Sequence, residues 1–173
     1  APTAELLVAA RFLAGLPHGA YFGVGAVMGT AVVGPERRGR AVASMMTGLY
    51  PAGHSVHENA RYLPRSHPVL AERLRAAGYD TAAFVSSFVL ARRFGLARGF
   101  EHYDDDLPPG RSERSARDTT DRALDWLDMR SSRPRFAWVH YFDPHAPYEP
   151  PEPFRSRYAK TPYLGEVAAM DEQ

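Results

Sequence analysis

The sequence predicts an α/β fold whose strands form a parallel sheet. An apolar strand is predicted at 81–85, an amphipathic helix at 115–130 and a strand rich in aromatic residues at 135–142. A strand, a helix and a second strand in this order are typical of two parallel strands joined by a right-handed crossover. We therefore expect a parallel sheet that helices cover on both faces.

A short helix is predicted ahead of the first strand. Leu70, Leu74 and Ala77 follow the i, i+4, i+7 spacing of one helical face, and Gly78 suits the position just past a helix end. The strand at 81–85 follows as a compact apolar segment, of the kind that is buried on both faces of a parallel sheet.

The later elements depend on similar patterns. Ser115 suits the N-cap of the second helix, which carries Ala116, Ala123 and Leu127 along one side. A final helix is predicted at 162–173. Two stretches rich in aspartate, proline or glycine are predicted as loops: 101–111 and 143–153.

The composition is that of a globular protein and excludes several functions. Of the 173 residues, 45% are apolar and 24% are charged, which is ordinary for a single domain with a sizeable core. The formal net charge of +1 gives no general attraction to nucleic acid, so no nucleic-acid partner is expected. The sequence has no cysteine, which excludes disulfides, thiolate metal ligands and a cysteine nucleophile.

The N-terminal part has a different character. Residues 12–35 carry no charged side chain, and such a run is long enough to cross a hydrocarbon core of about 30 Å as a helix. The basic cluster at 36–40 is typical of the cytoplasmic end of a membrane span. Membrane contact through 12–35 and a buried helix hairpin rich in glycine and alanine are both open interpretations. We predict an apolar helical segment at 1–43 and a separate α/β domain at 44–173.

The strongest local signal for chemistry is the proline-rich loop around His145. This loop follows the strand predicted at 135–142, and open α/β sheets bind ligands beyond the carboxyl ends of their strands. The flanking prolines hold the histidine at low entropic cost. A histidine fixed there can donate a hydrogen bond to an anionic ester or carry a proton; a packing role is the alternative.

Four blocks in order resemble the sulfatases of the alkaline-phosphatase superfamily over about residues 44–173. They are Met45–Asn59, Leu74–Val85, Phe94–Asp105 and Trp138–Tyr148. The resemblance implies a partial doubly wound sheet and hydrolysis of sulfate esters, with some relatives acting on phosphate esters. It implies a catalytic and substrate-binding role for His145, which falls on the family histidine that contacts the sulfate or the leaving-group oxygen. It also implies substrate binding by His54.

The sequence departs from the family pattern at the groups that the reaction needs. Family members bind a divalent cation, usually calcium, beside a nucleophile about ten residues before the glycine that matches Gly48. Here that position falls near Arg38, and no Cys/Ser-x-Pro-Ser-Arg pattern is present. The family's metal ligands have no matching residues either. We therefore expect no metal ligands and no bound calcium in this chain, and no hydrolysis by this chain alone.

Residues 4–47 resemble a different family. Arg11–Gly19 and Pro35–Ala41 are similar to one helix and the following loop of a major facilitator superfamily transporter. This is a small part of a twelve-helix fold, and one helix cannot enclose a transport path. The two resemblances meet near Ala43–Leu49, which predicts a chimeric junction.

Three further groups have a simpler interpretation beside the functional one. His54 and His57 have the i, i+3 spacing of a metal pair on a helix, but the proline and glycine before them favour a loop. Asp104–Asp106 has the composition of a cation site, yet a solvated acidic loop is favoured because the ligand alternation of a calcium loop is absent. The arginines at 111–122 alternate with acids and predict an exposed charged helix face.

Two functional hypotheses follow. The first is a fragment of a sulfatase-like hydrolase of sulfate or phosphate esters, catalytically incomplete alone, with an anionic ester as its ligand. The alternative is a membrane-tethered, non-catalytic domain that binds an anion or a partner. A membrane-associated or extracytoplasmic (periplasmic) location is expected. We also expect marginal stability and exposed strand edges, since part of the family sheet has no counterpart in the sequence.

Overall fold

The computed structural model describes residues 38–172, and the strands of this part form one three-stranded parallel sheet in the order β2-β1-β3. The strands are β1 (Asp80–Val85), β2 (His102–Asp104) and β3 (Arg135–His140). The helices are α1 (Arg38–Thr47), α2 (Pro51–His54), α3 (Leu70–Ala76), α4 (Ala116–Asp128), α5 (Phe154–Arg157) and α6 (Pro162–Asp171). Two turns of 3₁₀ helix, Phe88–Leu90 and Arg92–Phe94, lie between β1 and β2.

The central strand β1 is buried on both faces, as its apolar sequence predicts. Ala83 and Val85 belong to an apolar cluster with residues of α1 and α3. Phe84, which points to the opposite face, packs with Ala123 of α4. Helix α4 contacts both β1 and β3, so the predicted strand, helix and parallel strand are confirmed. Helices therefore cover the two faces of the sheet.

The buried faces of two helices differ from the prediction. In α3, Leu70 is exposed and Ala71 is the buried residue. This helix spans only seven residues, so the i, i+7 spacing extends beyond it. In α4, Leu127 is exposed and Trp126 packs toward the sheet, with its ring 6.3 Å from that of Phe84. Both Trp126 and Leu127 fit the helical period, and the larger ring of Trp126 lies on the buried side.

The stretch at 101–111, predicted as a loop, contains β2. This strand is three residues long, which is too short to show an alternating pattern in the sequence. It forms because its backbone pairs with β1 and because Tyr103 is buried, with the hydroxyl donating to the Leu90 carbonyl at 2.6 Å. The loop predicted at 143–153 is confirmed, and the N-cap role of Ser115 is confirmed by its hydrogen bond from the Asp118 N–H at 3.2 Å.

Gly99 permits a close approach between the turn before β2 and α3. Its φ is +79°, a conformation that favours glycine, and a Cβ there would lie 2.1 Å from the backbone nitrogen of Glu72. The packing of α3 beside the sheet therefore requires glycine at this position.

The apolar run at 12–35 and most of segment 1–43 lie outside the described residues. Within 38–172, no helix combines the length and the apolar character that a membrane crossing needs. The two interpretations of 12–35 and the boundary between 43 and 44 stay predictions.

Candidate functional site

A cavity of about 530 Å³ opens beyond the carboxyl ends of the strands. Because the strands are parallel, these ends meet at one edge of the sheet. The cavity lies between the segment after β2, the first turn of α4, the loop after β3 and helix α6. His145 is among its lining residues. The structure thus places the predicted histidine in a cavity at the predicted edge.

The loop after β3 is attached to the first turn of α4 through Asp143. Its Oδ2 atom accepts a hydrogen bond from the backbone N–H of Ala116 at 2.9 Å. The first N–H groups of a helix have no partner within the helix, and a carboxylate there also interacts favourably with the helix dipole. Asp143 therefore fixes the start of the loop two residues before His145.

The half-buried imidazole of His145 is held by two contacts. Its ring stacks on Phe142, with centroids 4.1 Å apart and 28° between the planes. Its Nδ1 atom lies 2.6 Å from the Ala146 carbonyl oxygen, which can only accept, so Nδ1 carries the proton. Nε2 is then the atom left to meet a ligand, and it donates to an anion in the imidazolium form.

The far side of the same loop is held by Glu166 of α6. This residue is 7% exposed. Its Oε2 accepts the backbone N–H of His145 at 3.1 Å, and its Oε1 accepts the N–H of Glu149 at 2.6 Å. Burial raises the pKa of Glu166 above its ordinary value, and the nearby Asp143 acts in the same direction, while the two N–H groups oppose the shift.

Of the acidic triplet Asp104–Asp106, only Asp106 is exposed, so the predicted solvated loop is wrong for the first two residues. Asp104 is buried at the end of β2, where its Oδ1 lies 2.5 Å from Arg114 and its Oδ2 lies 2.9 Å from Arg122. Burial alone would raise the pKa of Asp104, but the two guanidinium groups outweigh it and hold the pKa below its usual value. Asp105 pairs with Arg92, whose side chain is 61% exposed; burial alone would raise the pKa of Asp105, but this arginine holds it below its usual value.

Arg114 also corrects the prediction that the arginines at 111–122 form an exposed face. Its side chain is 1% exposed, and it donates to the Thr119 hydroxyl at 3.1 Å as well as to Asp104. Arg111 and Arg117 are exposed, as predicted, and both line the cavity. The sequence does not distinguish these three arginines, because the difference depends on the turn that brings β2 and α4 together.

His54 is fully buried at the end of α2 and lies away from the lining of the cavity. Its Nδ1 accepts the Val56 N–H at 3.0 Å, and its Nε2 lies 2.9 Å from the hydroxyl of Ser44 in α1. Nδ1 is an acceptor, so Nε2 carries the proton in the neutral ring. Burial lowers the pKa of His54 and favours this neutral form. His57 is exposed.

The calcium ion that the resemblance implies does not fit the described residues. Within 38–172, no group of three or more histidine, cysteine, aspartate or glutamate side chains is arranged to hold a metal ion. The acidic triplet, the closest in composition, has its first two carboxylates occupied by arginines.

Glu166 is a site residue that the sequence reasoning missed. Its signal is a single acid within the apolar run Tyr163–Met170, since an acid on the buried side of a helix needs a partner. The role of Arg114 has no comparable signal in the sequence.

A sheet covered by helices on both faces, with a ligand-sized cavity at its carboxyl edge, defines an α/β protein of the class that binds ligands beyond its strand ends. The Sulfatase family model matches residues 37–172. The chain belongs to the sulfatase family.

Several solved structures share the fold of this chain. A protein solved with its substrate D-glucosamine-2-N,6-O-disulfate matches with a TM-score of 0.60 and 19% identity, over 71% of this chain and 28% of that chain. The phosphonate monoester hydrolase of Agrobacterium radiobacter matches with a TM-score of 0.53 and 22% identity, over 68% of this chain and 34% of that chain. An alkaline phosphatase superfamily protein from Vibrio parahaemolyticus matches with a TM-score of 0.54 and 19% identity, over 78% of this chain and 37% of that chain. At these identities the likeness shows the fold alone, and it shows that this chain spans less than half of each.

A curated relative supports the second resemblance in part. The inner membrane transport protein YdhP of Escherichia coli strain K12 is 33% identical over 99 residues, which is 57% of this chain and 24% of that protein. The matched length exceeds the stretch 4–47 on which the sequence resemblance was based. The chain spans about a quarter of this relative.

Proposed function

We propose that this chain is part of a hydrolase of sulfate esters, with phosphate esters as the alternative substrate, and that His145 contacts the ester anion. The observation that carries the proposal is the placement of His145 in the cavity at the carboxyl edge of the sheet, in a chain of the sulfatase family. The imidazolium Nε2 donates to an ester oxygen and offsets its negative charge. Arg117, at the first turn of α4, adds positive charge to the same cavity.

We further propose that the 173-residue chain does not complete the reaction alone. The position that matches the family nucleophile falls near Arg38, and the described residues do not fit the metal of the family. His54 was expected to bind substrate. Its hydrogen bonds to Val56 and Ser44 hold α2 against α1, and substrate binding by His54 stays a prediction.

The alternative is a membrane-tethered, non-catalytic binding domain in a membrane-associated or extracytoplasmic location. The uncharged run at 12–35 and the similarity to an inner membrane transport protein support this candidate. In this case the cavity binds an anion and no bond is broken.

The test measures sulfate binding, aryl sulfate hydrolysis and vesicle partitioning with the purified full chain. Saturable sulfate binding that is lost in His145→Gln and retained in His57→Gln supports the anion contact, because His57 is exposed outside the cavity lining. No binding by the wild type contradicts it. Calcium-dependent hydrolysis contradicts the claim that the chain is incomplete. Binding together with vesicle partitioning, and without hydrolysis, favours the tethered domain.

A further inference from the structure

A single buried carboxylate bridges both sides of the His145 loop. The two backbone N–H groups that Glu166 accepts belong to His145 and Glu149, which are four residues apart. Because each oxygen takes a different N–H, the carboxylate sets the distance between the two ends of this turn. Hydrogen bonds that involve an ionised group are the strong ones, and both of these bonds are partly buried.

The residue before Glu166 permits this contact. A Cβ on Gly165 would lie 2.8 Å from the Cγ atom of Pro150 and 3.2 Å from the Cβ atom of Tyr158. Only a residue without a side chain lets α6 pack this closely against the proline loop. The pair Gly165–Glu166 therefore brings the helix close to the loop and supplies the acceptor there.

We propose that Glu166 is the positioning residue of the anion site, and that its carboxylate holds the His145 loop in the conformation in which the imidazole meets the ester anion. This inference rests on the proposed function of His145. The carboxylate acts through the backbone N–H groups of His145 and Glu149. A loop that is held in its binding conformation before the ligand arrives binds with higher affinity, because the fraction of competent molecules is larger.

Charged side chains surround Glu166 in the cavity. Asp143 and His145 face it from the loop, and the cavity that it lines also contains the following acids and arginines: Glu113, Asp118, Glu149, Arg111, Arg114, Arg117 and Arg155. In Glu166→Gln the shape is kept, but the amide oxygen accepts one N–H and the amide nitrogen faces the other as a second donor. The variant thus loses one of the two hydrogen bonds and leaves a partly buried N–H without its acceptor.

The matched control is Glu72→Gln. Glu72 also accepts a backbone N–H through its carboxylate, from Val69 at 2.9 Å, but it lies in the first turn of α3 and outside the cavity lining. The two variants therefore share the chemical change and the type of contact. They differ in whether the contact holds the His145 loop.

The experiment titrates inorganic sulfate into the isotope-labelled full chain and follows the imidazole signals of His145 by NMR. We expect sulfate to bind the wild type and Glu72→Gln with the same dissociation constant within twofold, and Glu166→Gln about tenfold more weakly, at a temperature below the melting temperatures of all three proteins. Wild-type affinity in Glu166→Gln overturns the inference and leaves the proposed function intact. No response of His145 to sulfate in the wild type overturns both.

A second measurement needs only the wild type, so it holds even if Glu166→Gln does not fold. Protonation of one shared carboxylate weakens both hydrogen bonds together. The amide protons of His145 and Glu149 should therefore shift with pH around one common midpoint. Separate midpoints, or no shift at either amide, show that Glu166 does not hold the loop and overturn the inference.

Discussion

Arg114→Met removes the centre of the buried ion cluster that joins β2 to α4. The guanidinium of Arg114 contacts Asp104 at 2.5 Å and donates to the Thr119 hydroxyl at 3.1 Å, in a side chain that is 1% exposed. Methionine keeps an apolar stem of similar length but has no charge and no donor. Asp104 then keeps the half-exposed Arg122 as its ion-pair partner.

The expected loss of unfolding free energy depends on how deeply each ion pair is buried. Removing one partner of a buried ion pair costs about 3–5 kcal/mol, since it leaves an uncompensated charge. Arg122 still compensates part of the charge on Asp104, so we expect the free energy of unfolding to fall by about 3 kcal/mol, the lower end of this range. Arg92→Met is the matched control, because Arg92 pairs with the neighbouring Asp105 but is 61% exposed. Solvent screens such a pair, and its loss should cost about 1 kcal/mol or less.

The assay is urea unfolding followed by circular dichroism. The dependence of the unfolding free energy on urea concentration, the m value, is compared between the variants. The difference between wild type and Arg114→Met should shrink as the pH falls below the ordinary aspartate pKa, about 3.9. The pKa of Asp104 is lowered in the folded state, so its contribution is present above that value and is lost as the pH falls through the folded pKa. A loss in Arg114→Met no larger than in Arg92→Met would refute the reasoning.

Three further predictions concern the loop, the close packing and the pH dependence. Asp143→Ala removes the acceptor of the first N–H of α4 and should cost about 1 kcal/mol in urea unfolding; an unchanged midpoint would argue against this contact. Gly99→Ala forces a Cβ against the α3 backbone and should prevent cooperative melting, whereas Gly110→Ala, with φ +75° and open space, should cost about 1–2 kcal/mol; equal melting curves would exclude the clash. Burial raises the pKa of Glu166 in the folded state, so protonation of Glu166 stabilises the fold. This contribution to the free energy of unfolding is fully present below about pH 4.3, the ordinary glutamate pKa, and is lost as the pH rises through the folded pKa. Glu166→Gln should flatten this decline in melting temperature, and an unchanged profile would contradict the assignment.

The position of the candidate histidine could be predicted because it depends on local information. An apolar strand followed by a proline-rich loop places His145 beyond a strand end without knowledge of the packing. The buried state of Asp104 could not be predicted, because one triplet of acids looks the same in a solvated loop and in an ion cluster. The direction of Leu127 failed for a related reason, since two adjacent residues both fit the helical period.

By itself, the sequence determined the α/β class, the two strands that flank α4 and the location of the His145 loop, since hydrophobic period and turn residues act over a few neighbouring positions. Only the tertiary structure decided that β2 is a strand, that Arg114 is buried and that Glu166 binds the loop 21 residues before it. These features depend on partners that are distant in the chain. A backbone N–H or a charge acquires its partner only when the elements have packed, and no local pattern records that choice.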